Sequence, residues 1–305
     1  MKLLKRSTIA AATVAGILAV AASPAAAIVG GRDATHAYPG MTFVGVLYPG
    51  IGTAQCGGTL ITPRVVLTAA HCVSDEFVAP QVEAVPAERI TVHIGSNDRT
   101  AGIVATAEKV WLHPDWQWLE QPAGTPVSDL ALVKLTQPVP AGLMPVGARQ
   151  ARPSEPLRLI GWGLTQYPVP AGYPLPTMLQ QRTITVLPAA ACQGGLIGPG
   201  ETCTSTGACF GDSGSPALTW HPGRHPRWEE VGLGSRETSD PQDPNANPCD
   251  GPMIYTNVAY PPFRTWIADT IRAGHTRGCL CRPTVRSLDK KASARLDRLK
   301  PHLTR

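Results

Sequence analysis

The sequence predicts an all-β protein, a sandwich or a pair of barrels, with one helix near its end. Three observations carry that expectation. Short runs rich in Val, Ile, Leu and Thr ("RVVLTAA", "RITVHIG", "LALVKL", "LRLIGWG") recur between turn residues, the spacing of short strands. Turn formers are abundant, with 30 Gly and 31 Pro among 305 residues. Helical periodicity is clear only late, in "PPFRTWIADTIRAG", where Phe263, Trp266, Ile267 and Ile271 share one face.

Taken in chain order, the first 27 residues read as an export signal. Lys2, Lys5 and Arg6 give a positive start, "TIAAATVAGILAVAA" an apolar middle, and Ala25-Ala26-Ala27 a small-residue cleavage site. An anchor is the rival reading, but about 15 apolar residues fall short of the roughly 20 that span a bilayer. The body from residue 28 is therefore expected to be secreted and soluble.

That body carries eight cysteines, Cys56, Cys72, Cys192, Cys203, Cys209, Cys249, Cys279 and Cys281. An even number in an exported chain points to disulfides. The only close pair, "CLC", lacks zinc-ligand spacing, so no metal and no cofactor are expected, and no clear calcium loop is visible. Charge is uneven. Residues 28–281 hold 16 Lys/Arg and 20 Asp/Glu, whereas residues 282–305 hold 8 Lys/Arg and 2 Asp. In the basic extension, 273–305, Val285, Leu288, Ala292, Leu296, Leu299 and Leu303 recur every three or four residues. This pattern is a basic amphipathic helix, either solvated or attached to an anionic surface. Nucleic-acid binding is not expected, since no stacking aromatics accompany the charge.

Three stretches carry the chemistry: "LTAAHC" at 67–72, "SDLALVKL" at 128–135 and "CFGDSGSP" at 209–216. Ser213 sits among glycines that let a ligand approach the backbone. A serine hydroxyl needs a base, and His71 is the side chain type that titrates near neutrality. Asp129 opens an alternating run, where its carboxylate could fix the imidazole tautomer. The order His, Asp, Ser is one known for such triads.

With "IVGG" at 28–31, "CGGTLITPRVVLTAAHC" at 56–72, "DLALVKL" at 129–135, "GWG" at 161–163, "GDSGSP" at 211–216 and "IYTNV" at 254–258, the chain resembles the trypsin/chymotrypsin-family serine endopeptidases over about residues 28–272. The resemblance implies two six-stranded antiparallel β-barrels, about 28–145 and 146–272, with a C-terminal helix and a crossing in 137–156. It implies His71, Asp129 and Ser213 as catalytic residues and the Gly211 and Ser213 N–H groups as the oxyanion site. It also implies a pair between the freed Ile28 ammonium and Asp212, and disulfides Cys56–Cys72, Cys192–Cys203 and Cys209–Cys249. Cys279 and Cys281 are left without an assignment.

Gly207 is then expected at the base of the substrate pocket, with Glu237 and Met253 as walls. Such a pocket favours small or medium apolar side chains over Arg or Lys, the alternative being that Glu237 attracts a basic side chain from the wall. Ser215 stands where the family usually has Gly, and "SRE" at 235–237 where it has "SWG". Ser235 would still bond Asp129, and Arg236 is expected to bring a flexible charge. A shifted alignment would place "GLG", 232–234, in that segment instead. The stretch "SDPQDPNANP", 239–248, reads as a loop at the cleft rim. The implied partners of a monomeric enzyme are polypeptide substrates and a proteinaceous inhibitor. The rival class is a catalytically silent protease-like binding protein.

No activation peptide is visible between the signal and "IVGG", so one cut after Ala27 is expected both to release the chain and to free Ile28. The alternative is an earlier cut, near Ala22 or Ala25, followed by trimming. N-terminal sequencing of secreted, active protein should read Ile28 first. An active chain beginning at Ala25 or Ala26 would refute the expectation.

Overall fold

The computed structural model describes residues 28–75, 82–117, 127–170, 172–239 and 245–276. The export signal, the tail beyond Thr276, Cys279 and Cys281 lie outside the described residues.

The strands follow the runs rich in Val, Ile, Leu and Thr. A two-residue strand β1 (Arg32–Asp33) is followed by β2 (Met41–Tyr48), β3 (Gly52–Thr62), β4 (Val65–Thr68), β5 (Ile90–Ile94), β6 (Ile103–Leu112) and β7 (Ala131–Leu135). Strands β2 to β7 close into an antiparallel barrel in the order β2-β3-β4-β7-β6-β5. In β5, Ile90, Val92 and Ile94 point inward while Thr91 is exposed, the period of two of a half-buried strand. These side chains join Val66, Leu67 and Leu132 in the barrel core.

The second half contributes β8 (Pro156–Gly161), β9 (Gln180–Thr185), β10 (Glu201–Thr204), β11 (Pro216–His221), β12 (Arg227–Glu237) and β13 (Met253–Thr256). They form one antiparallel sheet ordered β1-β9-β8-β11-β12-β13-β10. The expected six strands are present and curl round. Val186, just past β9, bridges Thr204 of β10, and Leu187 N–H donates to the Cys203 carbonyl at 2.8 Å. The seventh strand, β1, is the N-terminal segment laid on β9, with Arg32 opposite Gln181.

The segment between β7 and β8 ties the halves together. Val139 N–H reaches the Pro63 carbonyl and Met144 N–H that of Leu60, while Gly147 N–H reaches the Glu230 carbonyl. The helix α1 (Pro261–Thr276) begins with two prolines, tolerated in a first turn whose N–H groups lack helical partners. Its apolar face is the one expected from the sequence, but it packs on the first barrel. Phe263 and Ile267 enter that barrel's core, and His113 lies 5.3 Å from the Phe263 ring.

One buried acid joins the barrels. Glu230 of β12 is fully buried and accepts a hydrogen bond from the Thr59 hydroxyl of β3. Its other oxygen, Oε1, has no hydrogen-bond partner. Burial pushes its pKa up to about 8, against the opposing effect of the Thr59 bond. The folded pKa exceeds the unfolded one, so the unfolded state binds fewer protons between them. Stability therefore falls as pH rises from about 4.5 to about 8, by up to about 1.4 kcal/mol per unit for one group. Glu230→Gln should flatten the dependence of Tm on pH in this window and raise Tm by a few degrees at pH 8. Melting curves at several pH values check this; parallel curves for the two proteins would contradict it.

Candidate active site

The site is assembled from both sheets. His71 follows β4 on a tight turn in which Cys72 N–H bonds the Ala69 carbonyl. The Cys56–Cys72 disulfide ties that turn back to β3. Asp129 lies two residues before β7 and is wholly buried. His71 Nδ1 sits 2.7 Å from Asp129 Oδ2, and the His71 backbone N–H donates to Oδ1 at 3.0 Å. Ser235 of β12 donates its hydroxyl to Oδ2 at 2.7 Å. Thr256 of β13 donates to the Asp129 carbonyl at 2.9 Å. Burial alone would raise the Asp129 pKa, but the charge of His71 and the bonds from His71 and Ser235 hold it below its usual value. An imidazole whose Nδ1 faces a carboxylate presents Nε2 as a proton acceptor.

Ser235 reaches Asp129 because β12 bulges there. The pairing runs Gly234 to Tyr255 and Arg236 to Ile254, leaving Ser235 as the extra residue. Such a bulge re-aims a side chain. Thus Ser235, and not the "GLG" segment, holds the position beside the carboxylate.

Ser213 occupies a turn made by glycine. Gly211 has φ 94° and Gly214 φ 72°, left-handed conformations that other residues adopt at a cost. A Cβ on Gly214 would also lie 2.4 Å from the Gly57 carbonyl and 2.5 Å from Thr68 Oγ1. The turn is fastened by Gly57 N–H to the Ser213 carbonyl at 2.7 Å and Gly214 N–H to the Gly234 carbonyl at 2.8 Å. Ser215 is fully buried, and its hydroxyl lacks a hydrogen-bond partner. It fills the space above Gly57, where a Cβ would sit 2.1 Å from Ser215 Oγ.

Asp212 points inward. Its Oδ1 accepts from Gly163 N–H at 2.8 Å and its Oδ2 from Cys209 N–H at 3.0 Å. Burial pushes its pKa up to about 7 against these two bonds. The "GWG" motif has a steric reason here, because a Cβ on Gly161 or Gly163 would lie 2.1 or 2.4 Å from the carboxylate. Ile28 is fully buried, in an apolar cluster with Leu159, Met253 and Tyr255. Its neighbour Val29 donates N–H to the Gly207 carbonyl at 3.0 Å.

A cavity of about 50 Å³ opens beside Ser213, walled by Ala208, Ser235, Arg236, Glu237, Met253 and Tyr255 among others. Gly207 is not in its lining. A Cβ there would meet Ile184, Arg182 and Leu159 instead, and Ala208 takes its place. Glu237 is exposed at the rim and Met253 is buried. Of the expected rim loop, Pro248 lines the cavity, while residues 240–244 lie outside the described residues. Arg236 corrects the expectation of a flexible charge. It is buried, with Nη1 2.5 Å from Glu201 Oε1. Sequence reading missed Glu201, which sits 35 residues away without any motif.

Disulfides join Cys192 to Cys203 and Cys209 to Cys249, as well as Cys56 to Cys72. Cys56, His71 and Cys72 gather closely enough to suggest a metal group, but both sulfurs are in the disulfide and so are not the thiolates that bind metal.

Comparison with known proteins agrees with this architecture. The family model described as Trypsin matches residues 28–267. Chymotrypsin-like elastase family member 1 of Canis lupus familiaris is 28% identical over 263 residues, 81% of this chain and 93% of that protein. Kallikrein-7 of Homo sapiens is 29% identical over 233 residues, covering 72% of this chain and 78% of its own. Among solved structures, the scabies mite inactivated protease paralogue S-D1 superposes with TM-score 0.62 at 20% identity, over 81% of this chain and 98% of that one. A fold of one closed barrel and one rolled sheet, matched by the family model over most of its length, places this chain in the trypsin family.

Proposed function

We propose that this chain is a secreted serine endopeptidase that works through His71, Asp129 and Ser213. The observation that carries the reading is the Asp129 carboxylate, buried between the two sheets and bonded to both His71 and Ser235. Ser213 Oγ attacks the scissile carbonyl carbon as His71 Nε2 takes its proton. The tetrahedral oxyanion is stabilised by the N–H groups of Gly211 and Ser213. His71 then donates the proton to the leaving amine, and an acyl-enzyme remains. Water, deprotonated by His71, attacks the ester and returns Ser213. Asp129 keeps the imidazole in one tautomer and stabilises the imidazolium.

In the same reading, cleavage before Ile28 frees an ammonium that pairs with Asp212. The reading is supported by the buried Ile28 side chain, the Val29 bond to Gly207 and the high Asp212 pKa without a cation. A carboxyl buried in this way ionises readily only when a positive charge reaches it. The pair would hold Gly211 in the oxyanion geometry.

The cavity supports a preference for small or medium apolar side chains before the cut bond. Its volume, about 50 Å³, corresponds to roughly three or four waters, and the small Ala208 and the apolar Met253 stand among its walls.

Ser213→Ala should lower kcat on the order of 10⁶-fold, and an organophosphate should label Ser213 in the wild type. Intact hydrolysis by the variant would remove the assignment. An unlabelled, inactive wild type would favour the silent binding protein. Across chromogenic peptides, Ala, Val and Leu before the cut bond should be turned over faster than Arg or Lys. A trypsin-like ranking would refute the pocket assignment.

A further inference from the structure

Next to Ser235, Arg236 departs from what a residue on the cavity wall usually does with its charge. Its side chain is 3% exposed and that of Glu201 is 1% exposed. Nη1 and Nη2 lie 2.5 and 2.9 Å from the two Glu201 oxygens, the parallel fork that guanidinium and carboxylate favour. Nε donates to the Gly195 carbonyl at 3.0 Å. Glu201 Oε2 takes a further N–H from Gly198 at 2.7 Å. The three guanidinium nitrogens and both Glu201 oxygens thus each have a partner on one side, in the 195–201 segment and the start of β10. On the other side, Nη1 is 3.5 Å from Ser235 Oγ, and Arg236 itself lines the cavity.

We propose that Glu201 is a specificity-determining residue: it holds the Arg236 guanidinium against the 195–201 segment and keeps an unpaired cation out of the substrate cavity. The inference rests on the reading of that cavity as a peptide-binding site. With the pair closed, the wall contributed by Arg236 carries no net charge. The exposed rim carboxylate of Glu237, with Asp212 also in the lining, then disfavours acidic side chains. With Glu201 removed, the guanidinium is a buried charge without its partner, which is strongly unfavourable. The cavity that Arg236 lines offers it a route to water. There it would meet a substrate carboxylate in a fork, and the site would change from apolar-selective to acid-accepting.

The test uses the processed protein and peptide pairs that differ only by Leu or Glu before the cut bond. In Glu201→Ala the Glu/Leu ratio of kcat/KM should rise at least about tenfold over wild type, the scale of a charge pair formed in a partly desolvated site. The double replacement Glu201→Met with Arg236→Met fills the same space without charge. It should keep the wild-type ratio, because the cation is gone. Binding of the same peptides, measured in a Ser213→Ala background, should show the same ordering and does not depend on turnover. Should Glu201→Ala fail to fold by circular dichroism, Glu201→Gln keeps the volume and should show the same direction of change. An unchanged ratio in folded single variants overturns the proposal, as does an equal gain in the Met/Met protein. If wild type turns over no peptide while the binding ratios shift as stated, the peptidase reading fails and the role of Glu201 stands.

Discussion

The Asp129 carboxylate is the constraint on which the rest of the molecule depends. An ionised group without access to water must be met by donors, and here the donors come from both halves of the chain. His71, from the turn after β4, supplies its ring and its backbone N–H. Ser235 of β12 supplies a hydroxyl, and Thr256 of β13 holds the adjoining carbonyl. Neither half alone satisfies the group. The need to solvate one carboxylate therefore ties the barrel to the rolled sheet, and the Gly57 N–H bond to the Ser213 carbonyl ties the Ser213 turn to the same barrel. Glu230 and Thr59 make a second link between the halves, where burial raises the pKa of the acid.

Around this anchor the glycines serve as space. Gly161 and Gly163 leave room for Asp212, Gly57 for Ser215, and Gly214 lets its turn lie against Thr68 and Gly57. The inward carboxylate of Asp212 and the backbone of the Ser213 turn occupy volume that any side chain at these positions would take.

Much of this was legible in the sequence for identifiable reasons. Alternation in "RITVHIG" reports a strand because one face is buried, as at β5, whereas "LALVKL" is a continuous apolar run and its strand, β7, is buried on both faces. The helix face at Phe263 and Ile267 was legible for the same reason, although its destination on the first barrel was not, since periodicity says which face is apolar and nothing about what covers it. The segments "AAHC", "SDL" and "GDSGSP" named the residues that meet at Asp129 and the Ser213 turn. Other features left no local trace. The bulge that aims Ser235 is a property of two strands in register. The Glu201–Arg236 pair spans 35 positions, and a lone Arg in a cleft motif reads as an exposed charge until its partner is found. Gly207 was placed in the cavity by positional match, but the backbone there turns the site of its missing side chain toward Ile184 and Arg182.

The return of α1 to the first barrel bears on how the chain is made. Phe263 and Ile267 belong to a core whose other members were completed by residue 139, apart from Leu233 and Val258. A nascent chain leaving the ribosome therefore exposes an unfinished apolar surface on its first half until almost all of it has been synthesised. Closing such distant contacts is slow and leaves apolar surface open meanwhile.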